Sequence, residues 1–559
     1  MSDKDADMKS QVDPPGQNPI ASATSGTGLE APFYGEPARR SPGIGPFQPD
    51  RIDAVLALAA FILGFFFVRW VLSGWQGWGV GLFTLMYCGV VTVYLLKRGV
   101  HIPREGWFWL AVVVLTGLSY ALWADIGLEP WRSLLLFGGA VYWIIMATGL
   151  PLLGRTSSLC WLDGINALWV IPFRNFGGQY KSLAYFSRRQ KAGWSQAASI
   201  ALGVVLALIV ASVVLPLLME ADSGGFARLA DRLTNWLENI SEEVWQLILE
   251  MILAIPVAAY MFGLIAGSAH RRGTDSFSTD RVLRAVTDLQ IVPAATVYTL
   301  LGLLGALYTV FIASQLPYFF SAFGGELPGT WQVYSEYARR GFFELCSIAA
   351  INLMVLIAAN VFSRRQYRQS TPLKLLNALL AIITLILIAT AFSKMSLYIG
   401  AYGLTMPRLL PCFFMVFMAI VFGAVVARQR WSFSISRLAV LVGVAMLCLL
   451  CVLDPDSLVT RYNADRYMAG TLVSFDSTIL YRSGPAGVGA ALQVYGQTDD
   501  PSLHSELREY LQLQQENVEI RRGTTRDNLQ TARARQDIIA LLGPLPDPPD
   551  RGEASGYAD

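Results

Sequence analysis

The sequence predicts an all-α, polytopic transmembrane helical bundle of about eleven spans with a small helical extracytoplasmic C-terminal region. Three observations predict it. Apolar residues make up 54% of the chain and charged residues only 15%, below the roughly 25% charged of soluble domains. The apolar residues fall in repeated runs of about 18–23, the length at which a helix crosses a hydrocarbon layer. Lys and Arg are sorted onto alternate loops.

Residues 1–51 read as a disordered cytoplasmic tail, rich in Pro, Gly, Ser and Asp, with no apolar stretch before Ile52. No cleavable signal pattern is present there, so the first span is expected to act as the insertion signal and stay. The bundle is expected over 52–453. Its first four spans are Ala54 to Leu72, Trp78 to Leu96, Trp107 to Ala124 and Ser133 to Leu150. A fifth runs from Ala197 to Met219 and a sixth from Val244 to Ala266. Ile291 to Ile312, Gly341 to Phe362 and Leu373 to Phe392 follow. Leu409 to Ala427 and Leu438 to Leu453 complete the set.

Lys and Arg near the spans number 23 on one set of loops and seven on the alternate set. Because cytoplasmic loops keep the basic residues, this places the N-terminus inside and the C-terminus outside, in a bacterial inner membrane. Reporters active only in the periplasm are therefore expected to be active at Gly224, Gly325 and Gly484 and silent at Gly273 and Gln369. The opposite pattern throughout would overturn the orientation.

Two connections look amphipathic. The segment around 156–196 interleaves Trp169, Phe173, Phe176, Tyr180, Tyr185, Phe186 and Trp194 with basic residues, which suits a helix in the head-group layer. The segment 221–243 alternates charged and apolar residues and reads as a second interfacial helix. Membrane lipids are the partners both imply. Nothing points to nucleic acid.

Catalytic signatures are missing. There is no Gly-rich loop ending in Lys-Ser/Thr, no Gly-x-Ser-x-Gly, no His-Glu-x-x-His and no EF-hand loop. His101, His270 and His504 lie on different loops, so no metal or cofactor is expected. Cys448 and Cys451 have redox-like spacing but sit in an apolar run, where a thiolate is poorly solvated, and read as packing.

Polar residues at membrane depth carry more information, because they are costly there. Asn239, Glu243, Gln246 and Glu250 share one face of the sixth span, which Pro256 then interrupts; Gly263 and Gly267 offer a packing notch. Glu336, Arg340 and Glu344 are spaced to form a charge ladder as the eighth span begins. Arg339, Arg340, Lys394 and Arg408 oppose the inside preference, and Arg69 lies near the same surface. Glu250, Glu336, Arg339, Arg340, Glu344, Lys394 and Arg408 are thus the candidate polar cavity. Its cations would meet an anionic small molecule or lipid head group, or else internal acidic partners.

Tyr334 to Leu345 (Tyr-x-x-Tyr-x-Arg-Arg-Gly-Phe-Phe-Glu-Leu), Tyr402 to Arg408 (Tyr-Gly-Leu-Thr-x-x-Arg) and Arg461-Tyr462-Asn463 with Arg466 are motif-like. With these segments the chain resembles, over roughly residues 130 to 500, the bacterial membrane proteins known as domain of unknown function forty-one seventy-three or its relative forty-one fifty-three. The resemblance implies an inner-membrane protein and carries no activity or site.

Residues 454–543 hold short amphipathic helices, with apolar residues at Leu503, Leu507, Leu511, Ile538, Ile539, Leu541 and Leu542. Too few apolar residues are present for a large independent core, so these helices are expected to dock on the outer end of the bundle. Residues 544–559 read as a disordered tail. Transport or lipid handling through an outward polar cavity is the leading reading. A signalling or scaffold role through the C-terminal helices is the alternative, and a membrane-embedded transferase the second, with enzyme activity the less favoured class.

Overall fold

Ten helices among the described residues are long and apolar enough to cross a membrane. The computed structural model describes residues 47–72, 74–189, 242–273, 279–323, 334–364 and 370–545. Helix α1 (Arg51–Phe66) continues as a π-helical turn, Phe67–Leu72. Then come α2 (Gly77–Lys97), α3 (Arg104–Leu122) and α4 (Glu129–Ala147). Three short helices, α5 (Cys160–Ile165), α6 (Ile171–Arg174) and α7 (Gly178–Arg189), include a second π-helical turn at Asn166–Val170. The next long helix is α8 (Glu242–Ala269), followed by the amphipathic α9 (Thr279–Asp288). Helices α10 (Ala294–Phe323), α11 (Tyr334–Phe362), α12 (Thr371–Tyr402), α13 (Met406–Ala427) and α14 (Ile435–Val452) complete the bundle. Beyond it lie α15 (Pro455–Met468), α16 (Thr478–Ser483), α17 (Val488–Tyr495), α18 (Pro501–Ile520) and α19 (Leu529–Leu542).

The spanning helices bury residues in two clusters. The first gathers α1–α4, α8 and the short helices, with Trp143, Tyr120 and Phe262 fully enclosed. The second gathers α10–α13 around Phe342, Leu380 and Phe422. Helix α14 ties them together: Val440 and Val444 pack on the first, Ile435 on the second, and Cys448 and Cys451 sit among Val112 and Leu135. Both thiols are free and buried, as packing residues.

Small residues set the closest approaches. A methyl group on Gly64 would stand 2.7 Å from the Ala254 carbonyl oxygen, so α1 and α8 touch backbone to backbone. Gly263 and Gly267 form the anticipated notch, and it receives the chain at Pro172 and Asn175.

Each end of the bundle is fixed by a polar joint. At the basic end, buried Asp53 of α1 pairs with Arg98, accepts from the Tyr94 hydroxyl at 2.8 Å and lies 3.1 Å from His270 Nε2. These contacts hold the start of α1 to the ends of α2 and α8. At the other end the C-terminal helices form a cap. The Trp78 amide donates to Asp527 and the Gly79 amide to Thr525. Gly77, at φ +77°, has no room for a side chain beneath Thr525 and Arg526.

Ten of the anticipated spans appear in order, and the one at Ala197–Met219 lies outside the described residues, as do most of 221–243 and the two tails. Two differences have physical causes. Helix α12 does not stop at Phe392 but runs on to Tyr402, so Lys394 is inside it; Gly341 of α11 makes the space, with Lys394 Nζ only 2.6 Å from where a Cβ would stand. The C-terminal region has a core of its own, not only docking contacts. Helix α18 buries Leu503, Leu507, Tyr510, Leu511 and Val518 along one stripe, closing on Leu480, Val488, Val494 and Ile538.

Candidate functional site

Helices α1–α4 and α8 border a half-open cavity of about 470 Å³. Its walls are Phe67 and Val71 of the π-helical turn, Phe83 and Tyr87 of α2, Phe137 and Ala140 of α4, and Pro256, Val257 and Tyr260 of α8, with Phe173 and Phe176 toward the basic end. The two local irregularities of the surrounding helices lie on this wall. The π-helical turn rotates Phe67 and Val71 inward, and Pro256 has no N–H to offer the Ile252 carbonyl.

The hydroxyls on the wall are already committed. Thr84 donates to Val80 O at 2.8 Å, Tyr87 to Ala140 O at 3.4 Å and Tyr260 to Leu168 O at 3.0 Å. No carboxylate, ammonium, imidazole or thiol is among the lining residues. Trp169, Phe173 and Phe176 stack in sequence, with centroids 5.7 and 6.2 Å apart, and the first two are exposed at the basic end. The aromatic segment read as interfacial thus forms one edge of the cavity.

Of the anticipated site residues, Glu250, Glu344, Lys394 and Arg408 are described, and none of these lines the cavity. Glu250 is buried on α8, accepts from Gln246 at 3.4 Å and faces Arg69 at 3.6 Å. It stands six residues, about 9 Å, from Pro256 on the same helix, toward the capped end. Lys394 lies against Gly341 and in the field of Glu344. Glu344 itself is exposed. The side chains of Glu336, Arg339 and Arg340 lie outside the described residues, and with them the rest of the ladder.

Arg408 is engaged internally. Its Nη1 donates to the carbonyls of Tyr402 and Gly403, and its guanidinium rests 4.2 Å from the Tyr398 ring centroid. Arg466 does the same from α15, donating to Ile399 and Gly400 at 3.2 and 2.8 Å. Both cations therefore cap the C-terminal carbonyls of α12, where the helix dipole is negative. Between them Asn463 pairs with Leu404 as a strand partner would, accepting from its N–H at 2.8 Å and donating to its carbonyl at 2.6 Å.

A second buried charge group sits where the cap meets α3, α4 and α14. Arg132 is 1% exposed and Asp125 is fully buried. Arg132 donates to the Trp123 and Ala124 carbonyls at 3.3 and 3.1 Å, covers the Tyr120 ring at 3.8 Å and faces Asp125 at 3.6 Å. From the cap, Asp456 accepts from the Gly127 amide at 3.1 Å. Gln530 accepts from Ala124 at 2.9 Å while donating to Asp454 at 2.7 Å. Burial pushes the Asp125 carboxyl up to about 8, against the pull of Arg132, with Asp456 and Asp454 adding to the rise. Burial also lifts Asp456 to about 6.

The sequence matches the family described as Domain of unknown function (DUF4153) over residues 82–493. This is a DUF4153 protein. No curated protein and no solved structure matches the chain.

The family match begins earlier than the resemblance placed it, taking in α2 and α3. In this DUF4153 protein two of the motifs that carried the resemblance, Tyr402–Arg408 and Arg461–Arg466, meet in one joint between α12 and α15. Asp125, Arg132, Asp454 and Asp456 fall inside the matched span, whereas Gln530 and the α1 wall of the cavity fall outside it.

Sequence reasoning passed over Asp125, Arg132 at a span edge, and the cavity. An Asp three residues beyond an apolar run and an Arg seven further on were legible as a pair of wrong-side charges. The cavity had no such signal, since its aromatics read as ordinary membrane-facing residues.

Proposed function

We propose that the protein is a lipid-handling membrane protein that holds the apolar chain of a membrane lipid within its first helix cluster. The observation that carries this reading is the cavity itself. Its volume of about 470 Å³ lies within the roughly 300–1,000 Å³ typical of ligand sites, and its wall offers an apolar guest no competing hydrogen bond. A pathway for ions or polar solutes would need polar groups facing the space at that depth, and a transferase would need an acid or base on the wall.

The 23-to-seven distribution of basic residues supports a cytoplasmic basic end and an outward cap in a bacterial inner membrane. A scaffold role is favoured by one observation, the separate core of the C-terminal helices.

A phospholipid with a photoreactive acyl chain, supplied in nanodiscs, tests the proposal. Cross-links are expected at Phe137 and Tyr260 in the native protein. They should fall at least about tenfold in Ala140→Trp, which places an indole in the cavity where the chain would lie. Leu303 and Leu307, exposed on α10, report bulk lipid and should label equally in both. Labelling only at Leu303 and Leu307 in the native protein would overturn the reading.

A further inference from the structure

We propose that Asp125 is a proton-binding site whose protonation latches the C-terminal cap to the membrane bundle. The case rests on the geometry of the interface. Three carboxylates, Asp125, Asp454 and Asp456, are 0, 5 and 1% exposed and share one cation, Arg132. Fully ionised, the group would carry two uncompensated negative charges away from water, which is strongly unfavourable.

The three are not equivalent. Asp454 accepts from Gln530 and Ser457, and Asp456 accepts from Gly127. Neither oxygen of Asp125 accepts a hydrogen bond among the described residues. A carboxylate without donors is the one in such a cluster that takes the proton.

Every element packed there contributes a group that faces it or its neighbours. Arg132 comes from α4, Asp454 and Asp456 from the start of α15, and Cys451 from α14. Tyr120 of α3 lies under Arg132, Gln530 of α19 is neutral, and Glu129 is engaged by Gln76 at 3.4 Å. No second cation is among them.

The upward shift of Asp125 to about 8 and of Asp456 to about 6, both by burial first, agrees with this assignment. The sign follows from linkage. A carboxyl whose value is raised in the docked state favours docking fully below its ordinary value near 4. That contribution is lost as pH rises and is gone above about 8. Docking therefore weakens with rising pH, and the latch is closed by protons.

The test uses the full chain in nanodiscs and hydrogen exchange, corrected for intrinsic rates, at the Ala124 and Gly127 amides, which bond across the interface. Between about pH 6 and pH 9 their protection should fall about tenfold or more in the native protein and stay level in Asp125→Asn. Asn suits this position because Asp125 has φ +46°, a conformation Asn tolerates. Infrared difference spectroscopy gives an independent reading: the native protein should show a protonated-carboxyl band at neutral pH that Asp125→Asn removes. Level protection in the native protein, or an equal fall in Asp125→Asn, would overturn the proposal. So would a neutral-pH spectrum without that band.

Discussion

Arg132→Ala is expected to lower stability by about 3–5 kcal/mol, the cost of stranding a buried charge partner. Among the described residues Arg132 is the single cation facing three enclosed carboxylates, and it also satisfies the Trp123 and Ala124 carbonyls at the end of α3. Alanine leaves the carboxylates without that cation and the two carbonyls without that donor. Because burial already raises the Asp456 and Asp454 carboxyls, both take up protons more readily once Arg132 is gone, and the loss should shrink as pH is lowered toward 5. Asp125→Asn should recover part of it near pH 9, where Asp125 would otherwise ionise, since the two side chains are coupled. Thermal unfolding in detergent, followed by tryptophan emission, measures both. A change in unfolding temperature no larger than that of an exposed control, Arg461→Ala, would contradict the joint role assigned to Arg132.

The second large effect is expected at Gly403. Its φ of +77° and ψ of 179° place it in a region that only glycine occupies without strain. A Cβ there would stand 2.3 Å from Asn463 Oδ1, the atom that accepts from the Leu404 amide. Gly403→Ala therefore adds backbone strain of about 1–3 kcal/mol. It also disrupts a buried hydrogen-bonded pair, for a further cost of about 1–3 kcal/mol. Gly400→Ala is the matched control. It lies in the same helix with open space around it, and alanine favours helix by up to about 1 kcal/mol. Equal unfolding temperatures for the two variants would show that the α12–α15 joint is not held by Asn463.

The helices were legible because each crossing needs a continuous apolar run of fixed length, and the alternation of basic loops supplies an independent check. Their ends were less so. The apolar run of α12 stops near Phe392, but the helix continues because Gly341 leaves room for the Lys394 side chain, a fact held in another helix. The wrong-side cations show the same limit. Arg408 stood out as a charge awaiting a partner, sought among side chains and ligands, whereas Arg466 entered only within a motif and Arg132 was passed over. Their principal acceptors are backbone carbonyls at the ends of α12 and α3. Every residue carries such a carbonyl, so sequence gives no sign of which ones are left open.

Glu250 behaved differently. It is buried and the structure pairs it with Arg69 across α1 and α8, while Gln246 on the same helix face is exposed. The cavity beneath was invisible for a physical reason. An apolar space inside a membrane protein is lined by the same residue types that face lipid, so composition does not separate inside from outside. The π-helical turn at Phe67–Leu72 and the proline at Pro256 are irregularities on its walls, and of these the proline alone could be seen in advance.

The central claim is that this space holds a lipid chain. The most direct measurement is native mass spectrometry of the purified protein, comparing the native chain with Ala140→Trp after identical detergent exchange. The account predicts a retained lipid, close to one per chain, on the native protein and its loss from Ala140→Trp, with equal unfolding temperatures. Equal lipid retention by both, or none by the native protein, would contradict it.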